Sequence, residues 1–333
     1  MSRNLLAGVD IGGTKTAVVL STSPPEVLKR IEFATSPEQG PGPAIHKIKT
    51  AMRKMLETQG QTASSLRGIG VSCGGPLNSN AGLIQAPPNL PTWINVPIVD
   101  MLSAEFGCPV QLENDANAGA IAEHRFGAGM GYRQMVFLTL GTGLGAGIII
   151  DGRLYRGASD MAGEIGHVRL TQSGPVGYNK AGSAEGWTSG AGMTQVAEQM
   201  LRKAESRGEG SVLLNAMKRG SLTARYVGLA ARSGDPVARR IVRVCGLKLG
   251  LSLAILVDIL NPECIVLGGL AVRLGDLILK PARKSLQREA LKPALDACRL
   301  LPALLGERIG DVAALCVAME AGSSTDISSR RRS

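Results

Sequence analysis

Leu5-Leu6-Ala7-Gly8-Val9-Asp10-Ile11-Gly12-Gly13-Thr14-Lys15-Thr16-Ala17-Val18-Val19-Leu20 opens the chain with two aliphatic runs, Leu5 to Val9 and Thr16 to Leu20, on either side of a polar segment with two glycines. Short apolar runs bounded by glycine read as strands, so this opening unit is a β-hairpin with a glycine turn. The pattern returns in the second half, where Met135 to Leu140 reads as a strand, Gly141-Thr142-Gly143 as a turn and Ala146 to Ile150 as a second strand. An organisation stated twice in one chain predicts duplicated domains that face one another across a cleft. Helical spacing covers His46 to Thr58, Ala116 to Phe126, Gln195 to Arg207, Pro236 to Leu256 and Ile309 to Ala321. Strand-like runs at Leu66 to Val71, Pro109 to Leu112 and Ile265 to Leu267 complete an α/β pattern.

The 333 residues fit about two domains, and aromatics make up only 3% of them while glycine reaches 43. The interior is therefore aliphatic and the loops are glycine-rich, as in α/β enzymes. Lys and Arg total 37 against 27 Asp and Glu, a net charge of +10. The basic residues form no dense helix and are not interleaved with aromatics, which argues against a nucleic-acid partner; the charge suits a polyanionic nucleotide substrate. Six cysteines stand singly at 73, 108, 245, 264, 298 and 316, a usage that reads as reduced thiols in a cytoplasmic protein. The N-terminal apolar stretch is too short for a signal peptide, and the run from Leu249 is broken at Asp258, so no membrane partner is expected. Ser323 to Ser333, with Arg330, Arg331 and Arg332, reads as a disordered basic tail.

Asp10, Gly12, Gly13, Thr14 and Lys15 put an acid at a strand end and bare backbone in the turn, where N–H groups can approach phosphate oxygens. Asp10 would then face a nucleotide-bound Mg²⁺ through water. An ordinary glycine hairpin explains this motif equally well when it is taken alone. Gly141, Thr142 and Gly143 form a second phosphate-type turn, and Gly268-Gly269 after a strand could pack a purine against backbone. In Glu113-Asn114-Asp115-Ala116-Asn117 a helix cap is the commoner role for any one residue. The functional alternative makes Asp115 the acceptor of a hydroxyl proton during phosphoryl transfer, with Asn114 fixing a neighbouring hydroxyl. Glu164-Ile165-Gly166-His167 offers an acid and an imidazole on one face if helical, against a surface acid and a packed histidine. Lone cysteines with three histidines assemble no metal cluster.

Taken together, these residues resemble the ROK family (repressor, open reading frame, kinase) of bacterial sugar kinases, within the actin-like ATPase superfamily. The likeness runs from Leu6 to about Ala321. The Asp10 to Lys15 stretch is similar to the family's first phosphate motif, Gly141 to Gly145 to its second, and Asn261-Pro262 through Gly268-Gly269 to its adenosine motif. Glu113 to Asn117 resembles the segment carrying the catalytic base, and Ala162 to His167 the sugar-clamping segment. The resemblance implies Asp115 as base, with Asn114, Glu164, His167 and Glu185 as partners for sugar hydroxyls. Gly75 and Asn89 match less decisive sugar-side positions. It also implies two actin-like (ribonuclease H-like) lobes around a central cleft, commonly in a homodimer.

On that basis residues 1–118 are expected to form an N-terminal lobe completed by a helix at about 309–322, and 119–308 a C-terminal lobe. One departure stands out. Family members usually follow the Gly-His pair with a cysteine-rich zinc site, and its thiolates would fall here at Val176, Tyr178 and Ser183. No zinc is therefore expected, and His167 is kept only as a sugar ligand. The expected activity is transfer of the γ-phosphoryl group of ATP, with Mg²⁺, to a hexose hydroxyl, foremost the 6-hydroxyl of glucose. An N-acetylhexosamine kinase or a fructokinase is the alternative within the class, and a catalytically silent sugar-binding regulator the alternative outside it. The family's repressors carry a helix-turn-helix ahead of the first strand, for which the few residues before Leu6 leave no room.

Overall fold

The computed structural model describes residues 4–330. The chain divides into two compact units: unit 1 takes residues 1–130, 154–162 and 305–333, and unit 2 takes residues 131–153 and 163–304.

Unit 1 holds strands β1 (Leu5–Ile11), β2 (Lys15–Ser21), β3 (Lys29–Ala34), β4 (Leu66–Cys73), a small pair β5 (Leu77–Asn78) and β6 (Leu83–Ile84), and β7 (Val110–Asn114). Its main sheet runs β3-β2-β1-β4-β7. The hairpin side is antiparallel, and β1, β4 and β7 are parallel. The helix Pro41–Thr58 buries Ile45, Ile48, Met52 and Met55 with Leu5, Val9, Val18 and Ile69 in one aliphatic core. The last helix, Ile309–Arg330, packs on β1 and β4. It can do so because both strands carry glycine there: a Cβ on Gly70 would lie 2.1 Å from the Ala314 carbonyl, and one on Gly68 2.9 Å from that of Ala318.

Unit 2 follows the same plan with β8 (Met135–Leu140), β9 (Leu144–Ile150), β10 (Arg153–Tyr155), whose last two residues count with unit 1, a hairpin of β11 (Val176–Gly177) and β12 (Lys180–Ala181), then β13 (Cys264–Gly269) and β14 (Arg299–Pro302). The sheet order is β10-β9-β8-β13-β14, again a glycine-turn hairpin beside parallel strands. The long helix Pro236–Leu260 is buried along Val242, Cys245, Leu249, Leu253 and Val257. Its Gly246 and Gly250 admit the helix Asp276–Glu289 so closely that added Cβ atoms would meet the Ile278 and Ala282 carbonyls at 2.6 and 2.3 Å.

The expected α/β architecture is thus present as two five-stranded sheets, with several differences in detail. The helix Asp115–Phe126 belongs to unit 1, so the first break falls after Met130 and not at residue 118. The cause is apolar: Ala118, Ile121 and Ala122 share a core cluster with Val312, Ala313, Cys316 and Val317 of the last helix. The last helix continues to Arg330, past Ser323 where a disordered tail was expected to begin; residues 331–333 lie outside the described residues. Strand β3, with charged Lys29, Arg30 and Glu32, and the helix Asp276–Glu289, with Pro281 inside it, carry weak local signals and were not anticipated. All six cysteines are free thiols, and no described helix is long and apolar enough to cross a membrane.

Candidate active site

In unit 1 the parallel register aligns three strand ends, with Ile11 opposite Cys73 and Cys73 opposite Asn114. The segments that follow, Gly12-Gly13, Gly74-Gly75 and Asp115, therefore leave the sheet at one edge. The carboxyl ends of parallel strands are where open α/β sheets receive ligands.

Asp10 sits one residue inside that edge, beside Ser72, whose hydroxyl hydrogen-bonds to it. Burial pushes its pKa from 3.8 to about 6, and the carboxylates of Asp115 and Asp311 add to the rise against Ser72 and Lys15. The last helix begins against it, since a Cβ on Gly310 would stand 2.2 Å from Asp10 Oδ2. The neighbouring Asp311 accepts from Arg30 Nε at 2.8 Å.

The glycine turn is braced from β3. Gly12 N–H donates to the Lys15 carbonyl at 3.0 Å, and the Thr35 hydroxyl donates to the Gly12 carbonyl at 2.7 Å. Gly13 faces the exposed Asn89, which a Cβ at Gly13 would meet at 2.7 Å, so the glycine is required for this approach. Thr14 is exposed and its carbonyl accepts from Thr35 N–H. Lys15, expected at phosphate, holds Glu32 of β3 at 2.9 Å on the surface.

At the end of β7, Asn114 caps the helix Asp115–Phe126 by accepting from Ala116 N–H at 2.9 Å. Its Nδ2 faces Gly75, where an added Cβ would lie 3.1 Å away. Both the structural and the ligand-facing readings of Asn114 are thus open to one side chain. Asp115, in the first turn, meets solvent, yet the protein around it removes enough water to lift its pKa above the ordinary carboxylate value. The Ala116 N–H, 2.8 Å from Oδ1, pulls the other way. Glu113, assigned no role from sequence, is 1% exposed and pairs with Arg156 Nη2 at 2.7 Å.

In unit 2 the turn Gly141-Thr142-Gly143 is tied to the start of the helix Gly190–Ser206: Gly190 N–H donates to the Gly141 carbonyl at 2.8 Å. A cavity of ≈ 840 Å³ opens beside it, lined among others by Thr142, Thr194, Arg225, Arg232 and Arg273. The three guanidinium-bearing residues were not singled out in the sequence, where they are scattered through ordinary helical stretches. Gly268 and Gly269 end β13; Gly269 has φ 63°, and a Cβ on it would lie 2.2 Å from the Leu140 carbonyl. Asn261-Pro262 lies at the opposite end of β13 and lines a different cavity with Arg133 and Glu263. Only the glycine end of the suggested adenosine motif therefore approaches the phosphate-type turn.

Glu185 reaches that turn directly, for its Oε2 accepts Leu144 N–H at 3.0 Å and a Cβ on Gly143 would meet it at 2.7 Å. Gly166 packs against both, its would-be Cβ 2.5 Å from the Leu144 carbonyl and 3.5 Å from Glu185 Cβ. Unit 2 thus brings together Gly143, Gly166 and Glu185. The Glu164 to His167 stretch is a 3₁₀ turn over Ile165–His167 with Glu164 ahead of it, so the pair does not share the face of an α-helix. Both side chains are exposed.

The zinc that the resemblance raises does not fit these residues. At Val176, Tyr178 and Ser183 stands a hydrogen-bonded hairpin, β11–β12, turning at Tyr178 (φ 40°) and Asn179 (φ 60°). The Gln195 amide grips Val176 twice, accepting from its N–H at 2.9 Å and donating to its carbonyl at 2.8 Å. Lys180 Nζ donates to the His167 carbonyl at 2.8 Å, and the Tyr178 ring meets His167 edge-on at 6.1 Å. Among the described residues no group of three His, Cys, Asp or Glu could hold a metal. Magnesium asks for less, one or two carboxylates together with substrate phosphates. A part-buried carboxylate flanked by two others, as Asp10 is, suits that demand.

Sequence and fold both match known proteins. The model of the ROK family matches residues 6–320. A glucokinase of Halalkalibacterium halodurans is 34% identical over 93% of this chain and 93% of its own length. One from Streptomyces coelicolor is 32% identical over 95% and 98%. The solved structure of a ROK family glucokinase from Streptomyces griseus, in complex with glucose and AMPPNP, superposes with a TM-score of 0.77 at 32% identity, over 95% of this chain and 99% of that one.

Proposed function

The chain belongs to the ROK family, and from that premise we propose that it is an ATP-dependent glucokinase, transferring the γ-phosphoryl group to the 6-hydroxyl of glucose. The observation that carries the reading is the shared edge of unit 1, where the register of β1, β4 and β7 delivers Asp10, the Gly12-Gly13 turn and Asp115 together. The substrates are those of the Streptomyces griseus structure, which holds glucose and an ATP analogue.

In this reading Asp115 is the catalytic base. Phosphoryl transfer passes through a loose transition state, so positioning and charge neutralisation outweigh strong basicity. The pKa of Asp115, raised by burial, helps in the same direction, since the carboxylate accepts a proton more readily than an ordinary aspartate. Asn114 presents Nδ2 as a hydroxyl donor, its oxygen being committed to the cap. Glu185, by holding Leu144 N–H, ties a sugar-side carboxylate to the second phosphate turn. Gly12, Gly13, Gly141 and Gly143 bare their backbone for phosphate oxygens. Magnesium bound with ATP would neutralise phosphate charge, and Asp10 would be the residue to hold it. The three arginines of the unit 2 cavity favour an anionic donor there. A homodimer in the cytoplasm completes the proposal, its assembly to be measured by light scattering.

The test is ADP release with MgATP against glucose, mannose, fructose, N-acetylglucosamine and N-acetylmannosamine. Turnover is expected with glucose foremost. Asp115→Asn is expected to lose about 10²- to 10⁴-fold in kcat, the usual worth of a positioned base, while still binding sugar by calorimetry. Near-normal turnover by that variant would remove Asp115 from its role.

A further inference from the structure

Residues 154–162 form a strap. In sequence it is flanked on both sides by unit 2 residues, but it belongs to unit 1 and leads through Gly163 into the Glu164–His167 stretch. It is pinned at several points. Leu154 packs on the cluster containing Ala118, Ile121 and Val312. Asp160 accepts from Ser79 N–H at 3.0 Å and from the Ser79 hydroxyl at 2.8 Å. Asp160 itself is held at φ 60°, a conformation that a non-glycine residue keeps only when its surroundings enforce it. Ala162 N–H closes the strap onto the Arg156 carbonyl at 3.1 Å.

What the strap presents is Arg156. Its Nε and Nη2 reach Glu113 Oε2 at 2.8 and 2.7 Å, and Nη2 stands 3.6 Å from Glu320. The other oxygen of Glu113 accepts Asn114 N–H at 3.0 Å and Asn117 Nδ2 at 2.9 Å. One fully buried carboxylate therefore links a guanidinium to the backbone of Asn114 and the side chain of Asn117, the two positions that bracket Asp115. A buried carboxylate without its partner is strongly destabilising, so the side chain of Glu113 has little freedom while Arg156 is in place. The planar guanidinium aims two N–H groups in fixed geometry at the one oxygen left to it, in a way that a flexible ammonium does not.

We infer that Arg156, acting through Glu113, is a positioning residue for phosphoryl transfer: it fixes the turn that aims the Asp115 carboxylate. The inference rests on Asp115 being the base, as proposed above. Neither Arg156 nor Glu113 touches substrate in this scheme.

The experiment uses Arg156→Lys, Arg156→Met, Glu113→Gln and the double variant Glu113→Gln/Arg156→Met, each checked for folding by thermal unfolding, with Asp115→Asn alongside. We expect Arg156→Met to lower kcat about 10- to 100-fold, the scale of a small misplacement of a reacting group, while KM for MgATP moves less than about twofold. Arg156→Lys is expected to recover only part of the loss. The double variant, whose pair is neutral, is expected to be no slower than the poorer single variant, because both act on one element. Single losses that multiply in the double variant, or a folded Arg156→Met with unchanged kcat, would overturn the inference. If Arg156→Met does not fold, Arg156→Lys and the neutral pair carry the same comparison. Full activity in Asp115→Asn would instead refute the assignment of the base, which is a separate result.

Discussion

Asp10→Asn should make this protein more stable and inactive at once. In the folded chain the Asp10 carboxyl titrates at about 6, against 3.8 ordinarily, because burial and the carboxylates of Asp115 and Asp311 disfavour its charge. At about 1.4 kcal/mol per pH unit, that rise corresponds to about 3 kcal/mol of folding stability that the ionised group forfeits. The sign follows from proton uptake. Below the unfolded pKa both states carry the proton and the group contributes nothing against folding. Between 3.8 and about 6 only the folded state keeps it, so stability falls as pH rises, and above about 6 the loss is complete. Asparagine keeps the shape and cannot ionise. Thermal unfolding of the wild type and Asp10→Asn should therefore coincide near pH 4, diverge up to about pH 6.5 and stay apart at pH 8, with the variant higher. The full 3 kcal/mol is an upper limit, since Ser72 hydrogen-bonds to the ionised group in the wild type. A gap that is constant with pH, or a variant less stable at pH 8, would refute the account of Asp10 as a strained, like-charge neighbour. Its loss of MgATP turnover at pH 8 is the matching expectation for activity.

Three further substitutions probe the surroundings of the site. Gly13→Ala brings a methyl group to 2.7 Å from Asn89 Cβ and 2.8 Å from its carbonyl oxygen, contacts that backbone must move to relieve. Overpacking of this kind costs about 1–3 kcal/mol, and KM for both glucose and MgATP should rise about tenfold in steady-state assays, while Gly12→Ala, which would meet only a carbonyl at 3.0 Å, should be milder. Gln195→Ala removes both hydrogen bonds that hold Val176 of the hairpin beside His167 and Glu185. At about 1 kcal/mol for each bond the glucose KM should rise up to about 30-fold with the MgATP KM unchanged, and EDTA followed by Mg²⁺ should leave wild-type activity intact. Activity lost to EDTA and restored only by zinc would refute the hairpin as the element that holds this loop.

Local patterns carried the glycine turns, because a strand, a bare turn and a second strand are adjacent in sequence and need no partner to be recognised. The same reasoning placed Asp115 at a strand-to-helix junction, and the cap made by Asn114 follows from that position. Distance in sequence hid the rest. Arg156 lies 43 residues from Glu113, and Arg30 lies 281 residues from Asp311, so neither pairing has a periodic signature. The surface pair of Lys15 with Glu32 was hidden too, because β3, which carries Glu32, was not foreseen. The missing thiolates at Val176, Tyr178 and Ser183 were visible, but not the Gln195 side chain, 19 residues on, that braces the hairpin in their place.

These pairings share one logic in unit 1. Four carboxylates, Asp10, Glu113, Asp115 and Asp311, gather at or behind one sheet edge, and arginine is applied to two of them. Arg156 engages Glu113 and Arg30 engages Asp311, the members that face protein. Asp10 and Asp115, the members at the open strand ends, are left with pKa values raised by burial, and in Asp10 by its charged neighbours as well. Neutralising the outer pair would stabilise the free protein but would, in the proposed reaction, weaken its attraction for a divalent cation and a hydroxyl proton. Neutralising the inner pair instead fixes the backbone that presents the outer one. Under the proposed function, the arrangement separates carboxylates that hold structure from carboxylates left strained for chemistry, and it is the second kind whose removal should raise stability while abolishing turnover.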